Sequence, residues 1–66
     1  MDLRVNGKTR AVRDGATVSD LVEALGLDEK RVVVERNGEP VRRSVFAEVR
    51  LHEGDVLEVV RAVPGG

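Results

Sequence analysis

Apolar and polar residues alternate at the start of the chain. Leu3 and Val5 are separated by one charged residue, which is the period of a strand with one buried face. Asn6-Gly7 follows, and this dipeptide is typical of type I′ hairpin turns because both central residues need a positive φ. The pattern predicts a β-hairpin with strands over about residues 2–5 and 8–13.

The period changes to that of a helix after residue 16. Thr17 can cap the N-terminus of this helix, Asp20 completes a capping-box pattern, and Gly26 can end the helix in a left-handed conformation. We expect a short helix over about residues 18–25, which must lie on a sheet because an isolated helix of this length is marginal. Four apolar residues share one face of it, at i, i+3, i+4 and i+7: Val18, Leu21, Val22 and Leu25.

A third strand follows the helix. Val32 and Val34 fall on one side of it, with Glu35 on the other. Asn37-Gly38 marks a second tight turn. Pro40 has no N–H to donate, so the returning segment is predicted to be a sheet edge or a short extended piece.

The remainder of the chain contains an irregular connection and a last strand. We expect a short turn of helix near residues 44–47, and burial of Phe46, the only aromatic residue. Residues 53–55 read Glu-Gly-Asp and predict a turn. The last strand covers about residues 56–63, with Leu57 and Val59 facing the core.

These elements predict an α+β fold. The order is β-hairpin, helix, strand, irregular connection and strand. The first and last strands are both apolar on one face, which fits a sheet in which they are central and adjacent. We therefore expect a roll: a mixed four- to five-stranded sheet with one main helix packed across it.

Composition excludes several classes of function. The chain has 66 residues, which is one domain at most, and no cysteine, so it has no disulfide, no thiol nucleophile and no cysteine-based metal site. Its net charge of −1 argues against nucleic acid as the main partner. The N-terminal residues lack the apolar run of a signal peptide and no segment is long enough to span a membrane, so we expect a cytoplasmic protein.

Isolated polar residues give little support for other chemistry. His52 has no second histidine for a metal or catalytic site, and an exposed loop histidine is the simpler interpretation. The loop pairs Asp14-Gly15 and Gly54-Asp55 are interpreted as turn residues. Four arginines could form a basic patch, for which a solvated face is favoured over docking to an acidic partner: Arg36, Arg42, Arg43 and Arg50.

The whole chain resembles a known family. Its element order is similar to that of the β-grasp, or ubiquitin-like, fold, and the closest resemblance is to the ThiS family of sulfur carriers. The resemblance is carried by "VNGK", "DGATVSDLVEALGL", "VVVERNGEPVRRS", "LHEGDVLEVV" and the final "GG". Two positions depart from the family pattern, which usually has proline at Arg42 and often glycine, alanine or serine at Pro64.

The resemblance implies a specific chemistry at the end of the chain. A ThiF-like adenylating enzyme would activate the α-carboxyl of Gly66 with ATP, and sulfur from a donor such as a cysteine desulfurase would displace AMP. The resulting thiocarboxylate would deliver sulfur to a ThiG-like thiazole synthase for thiamin biosynthesis. The chain itself would then be a protein co-substrate and not an enzyme, with no metal and no permanently bound cofactor.

The resemblance also divides the chain into a domain over residues 1–63 and a flexible tail over residues 64–66. Pro64 ends sheet pairing, and Gly65 and Gly66 have no Cβ, so the tail can thread into a narrow partner active site. Two final glycines also occur by chance, and frayed ends are common. The pair gains weight from the length and element order that accompany it.

The outer face of the last strand is a candidate docking surface. Val60 and Ala62 share this face with Glu58, and Val33 and Glu35 of the third strand fall on the same side. The charged residues indicate that the face is solvated. Its apolar side chains are either scattered surface residues, which are normal, or a small docking patch formed by Val33, Val60 and Ala62.

Three alternatives to the thiazole pathway remain open on the sequence. A molybdopterin-type sulfur carrier has the same tail and fold. A ubiquitin-like modifier would end in an isopeptide bond to lysine. A plain β-grasp interaction domain would have an inert tail.

Overall fold

A computed structural model describes residues 1–62. Within them one mixed sheet has the strand order β2-β1-β5-β3-β4, with a single α-helix on one face. Two short 3₁₀ helices, Glu29–Arg31 and Arg43–Val45, lie in the connections. The strands and helix are β1 (Asp2–Val5), β2 (Lys8–Ala11), α1 (Val18–Ala24), β3 (Val32–Arg36), β4 (Glu39–Val41) and β5 (Val56–Arg61).

The first and last strands are neighbours, as predicted. β1 pairs with β5 in parallel, with Arg4 opposite Val56 and Val5 opposite Leu57. All the other pairs in the sheet are antiparallel: β1 with β2, β5 with β3, and β3 with β4. β4 is an edge strand, so Pro40 can lack an N–H without breaking a central ladder.

Both Asn-Gly dipeptides form the predicted tight turns. Asn6 and Gly7 have φ of 50° and 82°, and Asn37 and Gly38 have φ of 52° and 85°. Positive φ at both central residues is the type I′ geometry, whose twist matches that of the flanking strands. Asparagine tolerates the first position and glycine the second, which explains the order of the two residues.

The helix is capped as its sequence predicts. Thr17 Oγ1 accepts from the N–H of Asp20 at 3.2 Å, and Asp20 Oδ2 accepts from the N–H of Thr17 at 2.9 Å. The hydrogen bond from the Thr17 main chain is the largest effect on Asp20 and lowers the pKa of this carboxyl. Gly26 has φ of 72° and donates its N–H to the carbonyl of Glu23 at 2.9 Å, closing the helix.

One core lies between α1 and the sheet. Phe46 is 1% exposed, which confirms its predicted burial, and Leu57 and Val59 of β5 face the same core. The alternation predicted for β3 and β5 is therefore correct. The buried apolar residues of this core are Leu3, Val5, Val18, Leu21, Val22, Val32, Val34, Phe46, Leu51, Leu57 and Val59.

Some element boundaries differ from the prediction. β2 ends at Ala11, which pairs with Asp2, and not at residue 13, although Val12 still exchanges main-chain hydrogen bonds with Met1. The short helix Arg43–Val45 begins one residue earlier and ends two residues earlier than expected. The 3₁₀ helix Glu29–Arg31 was not predicted at all, although Asp28 caps it by accepting from the N–H of Lys30 at 2.9 Å.

Candidate functional site

The predicted tail lies outside the described residues. Pro64, Gly65 and Gly66, together with Val63, follow the last described residue. The boundary between domain and tail, the flexibility of the tail and the role of the Gly66 carboxyl therefore stay predictions. The structure does describe the strand that leads to them.

The chain approaches the tail along the central strand of the sheet. β5 lies between β1 and β3, and Arg61 is its last residue. The N–H of Ala62 still donates to the carbonyl of Arg31 at 2.8 Å. The main chain is therefore held by its neighbours up to Ala62.

Two of the three predicted docking residues lie on the sheet face opposite α1, and the third, Ala62, follows the end of β5. Val33 and Val60 are directly paired across β3 and β5, and they are 52% and 60% exposed. Ala62 is also exposed. We call Val33, Val60 and Ala62 the valine patch. The structure brings these residues together next to the chain that leads to the tail, while their role in docking stays a prediction.

The same face carries one apolar residue that the sequence reasoning did not use, and a pair of glutamates that it placed there. Val56 is 43% exposed and shares the parity of Val60, so strand alternation alone could have found it. Between them, Glu58 lies directly opposite Glu35 on β3, and both side chains are exposed. This pair gives the face an acidic centre beside the valine patch. Like charges directly opposite each other destabilise a sheet slightly.

Asp55 closes the predicted turn by donating its N–H to the His52 carbonyl at 3.0 Å, and its carboxylate is also a buried anchor. Its carboxylate accepts from Arg36 Nε at 2.9 Å, Asn37 Nδ2 at 3.1 Å and the N–H of His52 at 2.8 Å. Burial alone would raise the pKa of Asp55. The hydrogen bonds from His52, Asn37 and Arg36 outweigh burial and hold this pKa below its usual value.

The remaining polar candidates do not converge on a site. Arg36 is paired with Asp55, so it is not available to a basic patch, while Arg42, Arg43 and Arg50 are exposed. The side chain of His52 is exposed as predicted. Within residues 1–62 no group of histidine, aspartate and glutamate side chains is placed to hold a metal ion. None of the helices in that range is both long and apolar enough to cross a bilayer.

Comparison with known proteins identifies the family. A sequence model of the ThiS family matches residues 3–66. The chain belongs to the ThiS family. It is 40% identical over 65 residues to the sulfur carrier protein ThiS of Bacillus subtilis (strain 168), covering 97% of this chain and 98% of that protein.

Solved structures of the family confirm the β-grasp fold. A crystal structure of a thiamine biosynthesis protein (ThiS) from Geobacter metallireducens matches with a TM-score of 0.84 and 35% identity, covering 100% of both chains. A solution structure of a thiamine biosynthesis protein from Geobacter metallireducens matches with a TM-score of 0.82 and 35% identity, over 100% of this chain and 88% of that one.

A second relative is much longer. The chain is 42% identical over 66 residues to a protein named thiazole synthase from Paramagnetospirillum magneticum (strain ATCC 700264 / AMB-1). The match covers 100% of this chain and 20% of that protein. The chain therefore spans about a fifth of the length of this relative.

Proposed function

We propose that this chain is a sulfur carrier of thiamin thiazole formation. The observation that carries the proposal is the similarity over almost its whole length to a ThiS-family protein named as a sulfur carrier. The similarity to part of a protein named thiazole synthase supports the thiazole pathway and a ThiG-like partner. Molybdopterin-type carriers and ubiquitin-like modifiers share tail and fold but receive no such support.

The reacting group in this proposal is the carboxylate of Gly66. A carboxylate is a poor electrophile, so a ThiF-like enzyme would first join it to the α-phosphorus of ATP and release pyrophosphate. The terminal sulfur of a persulfide donor such as a cysteine desulfurase would then attack the acyl carbon, and AMP would leave to give an acyl disulfide. A thiol would cleave this disulfide, releasing the thiocarboxylate and forming a new disulfide with the donor. Splitting the substitution in this way replaces one difficult step by easier ones.

The described part of the chain suits the role of a protein co-substrate. The valine patch includes Val60 of β5, the strand that leads to the tail. An enzyme that binds Val60 and Val33 would therefore hold the tail near its active site. From Ala62 to Gly66 the chain can span at most about 14 Å. The enzyme surface that binds the valine patch must therefore lie close to the adenylation centre. Residence in the cytoplasm and the absence of a bound cofactor stay predictions.

Intact mass spectrometry of the protein isolated from cells tests the proposal. A carrier should show a fraction in which one oxygen of the C-terminal carboxylate is exchanged for sulfur, and this fraction should disappear when the adenylating enzyme is deleted. Conjugates through lysine would instead indicate a modifier. A thiocarboxylate consumed by a molybdopterin synthase and not by a thiazole synthase would move the chain to the other carrier pathway.

A further inference from the structure

The side chain of Asn6 is hydrogen-bonded to the main chain of β5. Its Oδ1 accepts from the N–H of Val59 at 2.8 Å, and its Nδ2 donates to the carbonyl oxygen of the same residue at 3.0 Å. The amide thus binds Val59 in the way that a residue of a neighbouring strand would. The two residues are 53 positions apart in the chain.

This contact extends the pairing of β1 and β5 past the end of β1. Val5 and Leu57 are the last paired residues of the two strands, and the main-chain N–H of Asn6 donates to the Leu57 carbonyl at 2.9 Å. The chain then turns away with φ of 50° at Asn6. The Asn6 side chain takes the place of the next strand residue, so the edge of β5 stays paired as far as Val59.

The sheet is narrow at the point where the chain leaves it for the tail. β4 reaches only as far as Val34, which pairs with Val41. Within residues 1–62 the sheet at Val33 and Val60 is therefore a ribbon of two strands, β3 and β5, closed by the bond from Ala62 to Arg31. Two-stranded ribbons twist more strongly than wider sheets. For the chain to leave the sheet in a fixed direction, β5 also needs a contact on its other edge, and the Asn6 side chain supplies this contact.

We propose that Asn6 is a positioning residue for the C-terminal tail, fixing the direction in which β5 presents Gly66 to the adenylating enzyme. The inference rests on the proposed function. Ala62, the last described residue, lies three positions after Val59, at most about 11 Å along an extended chain. A swing of about 10° at Val59 would displace Ala62, from which the tail continues, by about 2 Å, whereas misplacement by about 1 Å can cost a hundredfold in rate.

Asn37 provides a matched control at the opposite end of the same strand. It occupies the equivalent position of the second Asn-Gly turn with φ of 52°. Its Oδ1 accepts from the N–H of Val56, the first residue of β5, at 2.9 Å. Each asparagine thus bonds β5 through its Oδ1, although the Nδ2 of Asn37 donates to Asp55 Oδ1 at 3.1 Å and not to β5. Only Asn6 bonds the half of β5 that leads to the tail.

The test compares Asn6→Gly with Asn37→Gly. Glycine accepts the positive φ of both turns, so each variant loses the side-chain bonds to β5 while its turn is kept. ATP–pyrophosphate exchange is measured with the adenylating enzyme over a range of carrier concentrations, below the melting temperature of both variants. For Asn6→Gly we expect kcat to fall about 10- to 100-fold with KM changed less than about threefold, because the valine patch still docks. Asn37→Gly should keep both constants near wild type although it melts at a lower temperature.

A general loss of stability would affect both variants, so equal kcat values for the two would overturn the role of Asn6.

Asn6→Asp gives a second test that keeps the turn, since aspartate also tolerates positive φ. Its carboxylate accepts from the Val59 N–H but cannot donate to the Val59 carbonyl, so kcat should again fall, and a wild-type kcat would contradict the proposal. If the wild-type chain itself supported no exchange, the proposed function would fail and the role of Asn6 with it.

Discussion

Val33 and Val60 lie directly opposite each other on adjacent antiparallel strands, and more than half of each side chain is exposed. The next pair in the same register, Val34 after Val33 and Val59 before Val60, lies in the core. A pair of exposed valines adjoins a pair of buried ones because side chains alternate between the two faces of a strand. Substitutions on β5 can therefore separate folding from docking.

Val60→Glu should leave the domain folded and weaken binding to the adenylating enzyme. The side chain is 60% exposed, so the change should cost less than about 1 kcal/mol in stability. Leu57→Glu places a carboxylate in the core and should unfold a chain of this length, whose free energy of unfolding is only about 3–10 kcal/mol. Circular dichroism melts and a binding titration measure the two effects.

Val56→Glu is the matched control for the docking patch. It changes the same residue type on the same strand and face, but on the other side of the glutamate pair formed by Glu35 and Glu58. We expect it to bind the enzyme nearly as well as wild type. If Val60→Glu bound the enzyme like wild type, the valine patch would not be part of the interface. If it melted like Leu57→Glu, the strand register would be wrong by one residue.

Asp55→Asn should destabilise the domain by about 1–3 kcal/mol. The amide keeps the shape of the carboxylate but leaves the guanidinium of Arg36, 2.9 Å away, without its counter-charge. Thermal melts at neutral pH measure the loss. Asp14→Asn is the control, because that side chain is 94% exposed and its ion pair to the N-terminus is worth little. Equal melting temperatures for the two variants would mean that the Asp55 network contributes nothing.

Ionisation of the same carboxyl makes the stability of the domain depend on pH in the acid range. The pKa of Asp55 is lowered in the folded chain, so ionised Asp55 stabilises the fold above the pKa of the unfolded chain, about 3.9. This stabilisation is lost as the pH falls through the lower, folded pKa. Unfolding free energies measured between about pH 2 and 6 should therefore fall less steeply in Asp55→Asn than in wild type. Parallel curves would show that the titration of Asp55 is not linked to folding.

Local patterns predicted most of this fold, and the exceptions are the short 3₁₀ helix Glu29–Arg31 and two long-range contacts. The turn at Asn6-Gly7, the helix from Val18 and the buried side of β5 all follow from neighbouring residues. The contact of Asn6 with Val59 crosses 53 positions, and Arg36 reaches Asp55 across 19. Both contacts depend on strand order and not on local period, so the sequence assigns Asn6 and Asp55 only to turns and Arg36 only to a possible basic patch.

Thr17→Ala should lower stability by about 1 kcal/mol, since it removes the side chain that accepts from Asp20 N–H. For a domain of this size the loss corresponds to roughly 4–8 °C in melting temperature. Ser44→Ala removes a hydroxyl from an exposed residue in the Arg43–Val45 helix and serves as control. If both changes had the same small effect, the capping box would not support the helix.

The tail itself is tested by substitutions that leave the domain untouched. Gly65→Val adds a branched Cβ to a tail that the proposed function sends into a narrow cleft, so adenylation should fall by at least about tenfold. Pro64→Gly should be milder, because it frees the φ that proline fixes near −65° without adding bulk.

One residue added after Gly66 should abolish activation, since the α-carboxyl of Gly66 is then a peptide carbonyl. All three variants should melt within about 2 °C of wild type if residues 64–66 contribute no packing. ATP–pyrophosphate exchange and melting curves are the measurements, and normal exchange by the extended chain would show that the Gly66 carboxylate is not the group that reacts.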